Sequence, residues 1–158
     1  MADVVLLNPD MREWEMKWDT FLASHQHLIY HTPQFYRFIE RTFKQKMFYL
    51  GALEQGKLAL MLPCVALSHP LFGKKILSMG YVEYGGFAGK KEHIPFILNY
   101  LGKQDAAYVE IRQGLEEFDA ALPKQLQVVS EYKRFLLPLG KEKDIWDRMQ
   151  KHKRKAIK

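Results

Sequence analysis

"MFYLGALEQGKLALMLPCVAL", residues 47–67, is the stretch on which the reading of the fold turns. Two apolar segments flank Gln55-Gly56, and a polar residue followed by glycine between such segments predicts a two-residue β-hairpin turn. On the second arm Leu58, Leu60 and Leu62 alternate with other residues, as expected of a half-buried strand with one face on a core. The longest apolar run, 58–67, is ten residues interrupted by Pro63. A helix crossing a bilayer needs about 18 or more.

Upstream of the hairpin, "VVLL" (4–7) predicts a short strand ended by Asn8-Pro9. Trp14, Trp18, Phe21 and Leu22 then recur at helical spacing, which predicts an amphipathic helix over 10–23. Thr32-Pro33 supplies an N-cap and a proline suited to a first helical turn. The helix it opens carries Tyr36, Ile39 and Phe43 on one side and Arg37 and Arg41 on another. Downstream, "KILSM" (75–79) predicts a third hairpin-region strand. Residues 92–101 predict a helix with Ile94, Ile97, Leu98 and Leu101 inward and Gly102 as its stop. "AYVEIR" (107–112) reads as a strand, "LEEFDAAL" (115–122) as a short helix, and "LQVVS" (126–130) with "YKRFLLPL" (132–139) as two more strands. A final helix begins near Lys141.

The predicted order is β-α-α-β-β-β-α-β-α-β-β-α, an α/β chain whose strands must form a mixed sheet with helices on its faces. It resembles the order of a GNAT-like (acyl-CoA N-acyltransferase-type) domain, expected over residues 1–140, with 141–158 a separate basic helix. The 158 residues suffice for one domain with a real core, since 47% are apolar. One cysteine, Cys64, excludes an internal disulfide framework and suits a reducing compartment, and no secretory signal is visible. The expected location is therefore cytoplasmic.

The net charge of +6 is concentrated at the end: after residue 140 there are eight Lys/Arg against three acids. Such a segment attracts phosphate, anionic lipid or an acidic partner, unless it is only a solvated terminus. The aromatic residues sit at core spacing rather than interleaved with cations, which argues against a nucleic-acid-binding module. That module, or a membrane-surface one, remains the alternative to an enzyme. Ile145, Met149, His152 and Ala156 make an incomplete apolar stripe beside the cations of the last helix, as in an interfacial helix.

"SMGYVEYGGFAGKK" (78–91) raises a chemical question. A glycine-rich turn before a helix can hold a diphosphate on its backbone amides, or it can simply be tight. Gly86 and Ala88 match the Arg/Gln-x-x-Gly-x-Gly/Ala pattern of GNAT enzymes, but its leading position holds Glu83. A carboxylate beside a diphosphate repels it, and Lys90-Lys91 would compensate only in part. The expectation is a tight structural turn with no cofactor bound. Tyr81, Glu83 and Tyr84 either face a cleft or serve as surface and packing residues.

Five stretches in order, "YHTPQFYRFIERTF", "YLGALEQGKLALMLPCVAL", "LFGKKILSMGYVEYGGFAG", "YVEIR" and "DIWDRMQKHKRKAIK", resemble FemAB-like proteins, the peptidoglycan-bridge aminoacyltransferases and their exopolysaccharide-associated relatives. The resemblance covers nearly the whole chain and implies the first of two GNAT-like halves plus the start of the connecting helix. It implies transfer of an aminoacyl or acyl group to an amine, from aminoacyl-tRNA or acyl-CoA, with a UDP- or lipid-linked glycan or muropeptide precursor as acceptor. It implies that the acceptor's diphosphate meets Arg37 and some of Lys151, Lys153, Arg154, Lys155 and Lys158. Further partners implied are tRNA, an anionic membrane surface at the inner face of the cell membrane, and a second GNAT-like half. Catalytic residues are not identified, because an activated ester needs mainly positioning and desolvation of the amine.

Plainer roles compete for several of these residues. Arg37 could instead pair on the surface with Glu40 or Glu13. Arg112 lines the cleft or pairs with Glu110, two residues away on the same strand face. His25, His27 and His31 fall within seven residues but lack a fourth ligand, so no metal is expected. Cys64 is expected to be a buried small hydrophobe.

Overall fold

In the computed structural model the described residues are 3–71, 73–83, 85–113, 127, 129 and 141–157, the last two of these by their backbone only. The chain divides into two units, residues 1–126 and 127–158.

The first unit is built on the 47–67 hairpin. Strands β2 (Met47–Glu54) and β3 (Lys57–His69) pair antiparallel around Gln55 and Gly56, whose φ angles of 51° and 75° are those of a type I′ turn. Outside them, β1 (Asp3–Leu7) pairs with β2, and β4 (Gly73–Leu77) pairs with the far half of β3, both antiparallel. The two-residue β5 (Ala88–Gly89) pairs with the near half of β3, and β6 (Tyr108–Glu110) runs parallel to β4. The sheet is thus mixed, in the order β1-β2-β3-β4-β6 with β5 off the path. Pro63, which has no N–H to give a ladder, lies between the part of β3 that pairs with β5 and the part that pairs with β4.

Both faces of the sheet are covered. Helix α1 (Arg12–Ser24) brings Trp14, Trp18 and Phe21, and α2 (Pro33–Phe43) brings Ile39, against Tyr49, Met61, Val65 and Met79. Helix α3 (Ile94–Gly102) packs Ile94, Ile97 and Leu101 on the opposite face against Leu50, Leu60, Leu62, Cys64 and Ile76. Burial of each such side chain is worth about 1.5–3 kcal/mol, so these helices fasten to the sheet from both faces. The expected half-buried hairpin arm is therefore buried on both faces from Leu58 to Val65. The alternation also slips. A bulge opposite Ala52 and Leu53 inserts Ala59, so Leu58 joins the α1–α2 face while Leu60 and Leu62 face α3.

Local signals placed the helices well. Thr32 Oγ1 accepts from Phe35 N at 3.2 Å and Pro33 opens α2, which ends at Lys44 in the left-handed region. The end of α3 differs from expectation: Gly102 is its last residue, and Lys103 caps it with right-handed angles. The expected helix over 115–122 and strands over 126–130 and 132–139 lie outside the described residues, apart from 127 and 129.

In the second unit, the expected single helix after Lys141 is two: α4 (Glu142–Arg148) and α5 (Lys151–Ile157). Met149 between them is extended (φ −67°, ψ 138°), which breaks the phase of the stripe from Ile145 to Ala156. No described helix is long and apolar enough to cross a membrane.

Candidate functional site of the first unit

The glycine stretch is a packed turn in which the amides of Gly85 and Phe87 are taken. Gly85 N–H donates to Arg112 O at 3.0 Å, and Phe87 N–H donates to Gln113 Oε1 at 2.9 Å. A Cβ on Gly86 would stand 2.2 Å from that same Oε1, and one on Gly85 would stand 2.5 Å from Met79 Cγ. Gly89 combines φ +108° with a Cβ position 2.3 Å from Ala59 O. These glycines are explained by what sits where side chains would be. Lys90, expected only to compensate Glu83 in part, donates to Glu54 Oε2. That contact holds the Glu54 carboxyl below its usual range and raises the Lys90 ammonium.

His31 fastens this turn to the rest of the fold. Leu28 N–H donates to its Nδ1 at 3.0 Å, and its Nε2–H donates to the Gly86 carbonyl at 2.8 Å, a pairing that requires the neutral ring. Burial lowers its pKa below 6.5, against a smaller opposing effect of the hydrogen bonds to Gly86 and Leu28. Around it, Trp18 Nε1–H donates to His31 O at 2.8 Å and Tyr49 OH donates to Tyr30 O at 2.6 Å. The other two histidines are also in local contacts: His25 stacks on Phe21 at 4.4 Å, and His27 Nδ1 lies 2.9 Å from His25 O. Among the described residues no three His, Cys, Asp or Glu side chains come together as a metal site.

Arg112 pairs with Glu110, Nε to Oε1 at 2.6 Å, and donates from Nη1 to Val82 O at 3.1 Å. Its backbone N–H donates to the buried Ser78 Oγ at 2.7 Å. The strand end thereby grips both sides of the 79–82 turn, in which Met79 takes a left-handed φ of 52°. Tyr81 leaves this turn and stacks on Phe43 of α2, centroids 4.3 Å apart and planes 11° apart. Glu83 is exposed. Tyr84 and Lys158 lie outside the described residues.

Arg37 does not pair with Glu40 or Glu13. Its Nε donates to Asp10 Oδ1 at 3.1 Å and its Nη2 to Pro9 O at 2.6 Å, so it clamps the loop before α1 to α2. It also lines a shallow hollow of about 460 Å3 with Gln34, Phe38, Arg41 and Thr42. Arg41, Lys44 and Lys46 make no side-chain hydrogen bond or ion pair among the described residues. Lys151, Lys153 and Lys155 are exposed and Arg154 is half-buried on α5 of the second unit.

Three features escaped the sequence. The first is the His31 bridge, whose partner lies 55 positions away. The second is a run of touching aromatic rings: Tyr30–Phe35 at 5.0 Å, Phe35–Phe38 at 5.7 Å, Phe38–Phe43 at 6.5 Å, then Tyr81. Phe38, Phe43 and Tyr81 are exposed and alternate with Arg37 and Arg41, which corrects the expectation that the aromatics sit only at core spacing. The pattern Phe35-x-Arg37-Phe38-x-x-Arg41-x-Phe43 carried that signal. The third is His93, buried before α3 with neither ring nitrogen hydrogen-bonded among the described residues and Nε2 3.6 Å from Glu54 Oε1.

No protein-family model matches the chain, and no curated protein matches it. Among solved structures it is similar to a ribosomal-protein-alanine N-acetyltransferase from Brucella melitensis biovar Abortus 2308, with 16% identity and a TM-score of 0.54, over 89% of this chain and all of that one. It is also similar to an aminoglycoside acetyltransferase from an uncultured soil metagenomic sample, with 19% identity and a TM-score of 0.48, over 89% of this chain and 99% of that one, a likeness too loose to carry weight. The fold is therefore the GNAT-like mixed sheet flanked by helices.

Proposed function

We propose that this chain is the acceptor-side half of an N-acyl- or aminoacyltransferase of FemAB type, acting on an amine of a phosphorylated cell-wall or exopolysaccharide precursor. The fold and its N-acetyltransferase neighbour support transfer of an acyl group to an amine. The observation that carries the acceptor-side part is the state of the glycine turn. Its amides at 85 and 87 are committed to Arg112 and Gln113, and helix α3 starts only at Ile94. An acyl carrier's diphosphate would find few free donors there, so the donor is held elsewhere, as by a second GNAT-like half. The UDP- or lipid-linked acceptor then lies along α2, where Arg37 and Arg41 share a hollow. A guanidinium presents a fork that suits phosphate oxygens. The second unit carries its own cations, Lys151, Lys153, Arg154 and Lys155 on α5 with Lys158 after it, whose charge suits an anionic group of the precursor.

The test is a titration of the chain with a UDP-muropeptide followed by amide resonances. Shifts at α2 that weaken several-fold in Arg41→Ala and Arg37→Ala support the reading. No response to any nucleotide sugar overturns it. A second reading, a nucleic-acid-binding module such as one for tRNA, draws on the aromatics interleaved with arginines on α2. It expects RNA affinity that falls steeply with salt and indifference to nucleotide sugars.

A further inference from the structure

Among the described residues, the aromatic run from α2 to the 79–82 turn is a line of touching rings that is in part exposed. Phe38 is 52% exposed, Phe43 43% and Tyr81 38%, and Ile29 beside Tyr30 is 66% exposed. Large apolar side chains that touch one another on a surface, rather than standing singly, mark a place where something binds. The rim is cationic: Arg41, Lys44 and Lys46 are exposed with no ion pair among the described residues, and Arg37 lies one turn from Arg41. The acids nearby are Asp10, which pairs with Arg37, Glu40, half-buried in α2, and Glu83 beyond the turn.

We propose that this strip is a docking surface for an anionic membrane, with the rings entering the headgroup layer and the cations meeting lipid phosphates. Three observations favour lipid over other occupants. The rings of Phe35, Phe38, Phe43 and Tyr81 form a continuous line whose one polar group is the Tyr81 hydroxyl, little to give a protein partner its register. Phe and Tyr beside Lys and Arg is the composition that settles at the boundary between headgroups and acyl chains. Exposed cations come from the same stretch of chain as Phe38 and Phe43, Arg41 in α2, Lys44 at its cap and Lys46 just after it, a charge suited to lipid phosphates. The inference shares Arg37, Phe38 and Arg41 with the proposed acceptor hollow but concerns a surface rather than a reaction, and vesicles free of any nucleotide sugar test it apart from that reading.

The experiment is flotation of the full chain with vesicles of phosphatidylcholine alone or with added phosphatidylglycerol. The chain is expected to float with the anionic vesicles, to be released by salt, and to remain with the soluble fraction on phosphatidylcholine alone. Arg41→Glu with Lys44→Glu is expected to reduce partitioning by about tenfold or more, and Phe38→Ser with Phe43→Ser by a similar factor. The charge-reversal pair alters only exposed side chains, so it decides the matter if the phenylalanine pair unfolds. Failure to float with anionic vesicles overturns the proposal. So does flotation unchanged in the charge-reversal pair, which would assign binding to the cations after residue 140. Binding to a single-stranded oligonucleotide in place of vesicles would assign the strip to nucleic acid and also overturn it.

Discussion

Replacing His31 by phenylalanine tests the central account of the glycine turn. Phenylalanine keeps most of the buried ring volume but removes both nitrogens. The Gly86 carbonyl then loses a buried partner at 2.8 Å and the part-buried Leu28 N–H loses one at 3.0 Å. An orphaned buried polar group costs about 1–3 kcal/mol, and less where water can reach it, so the expected loss is about 2–4 kcal/mol. That is a large share of a typical stability of about 5–15 kcal/mol. The assay is urea denaturation at pH 8, comparing midpoints at unchanged slope. Acid adds a second readout. Because burial lowers the pKa of His31 below 6.5, the unfolded chain takes up the proton first. The stability His31 contributes is full above that value and is lost as pH falls below it towards the folded value. The phenylalanine variant should lose this part of the pH dependence. A destabilisation under about 1 kcal/mol, or an identical pH slope in both proteins, would refute the bridge.

Two of the three positive-φ glycines among the described residues, Gly56 and Gly89, should separate cleanly in the same assay. Gly89→Ala is expected to cost about 3–5 kcal/mol, since its Cβ meets a backbone oxygen, whereas Gly56→Ala, with open space around it, should cost about 1 kcal/mol. Burial pushes the Cys64 thiol up, so its alkylation at pH 8 should track global unfolding across a denaturant series; labelling at the rate of a free thiol in native buffer would contradict its place under α3. Glu54 has a lowered pKa from its contact with Lys90, so that contact contributes above the carboxyl's unfolded value of 4.5 and is lost as pH falls through the folded value. Glu54→Gln should therefore make the acid limb of a thermal-stability profile shallower, and an unchanged limb would show that the contact contributes nothing.

What the sequence could convey depended on range. The Gln55-Gly56 turn and the Thr32-Pro33 cap are decided by the chemistry of two adjacent residues, and both stand as read. The Ala59 bulge was invisible, because alternation at Leu58, Leu60 and Leu62 looks the same whether or not an extra residue turns one of them over. The purpose of the glycines was equally hidden. Gly86 is required by Gln113 and Gly89 by Ala59, and neither partner is marked in the sequence. Arg37 was singled out for its charge, yet its chosen partner, Asp10, sits in a loop whose course no periodicity predicts. The roles of Tyr81 and Arg112 depend in the same way on contacts with Phe43 and Val82 that only the folded chain creates.

The outer edge of β3 is divided between two strands that never meet: β5 holds Leu60 and Met61, and β4 takes over from Val65. The sheet is thus a spine with two flaps of unequal grip, one fastened by two residues and the other by five. Amide protons at Ala88 and Gly89 should exchange with solvent well ahead of those at Ile76 and Leu77, while the spine itself yields only when the whole unit opens. The wedge between the flaps, at Leu62 to Cys64, is where such breathing would first admit water to the interior.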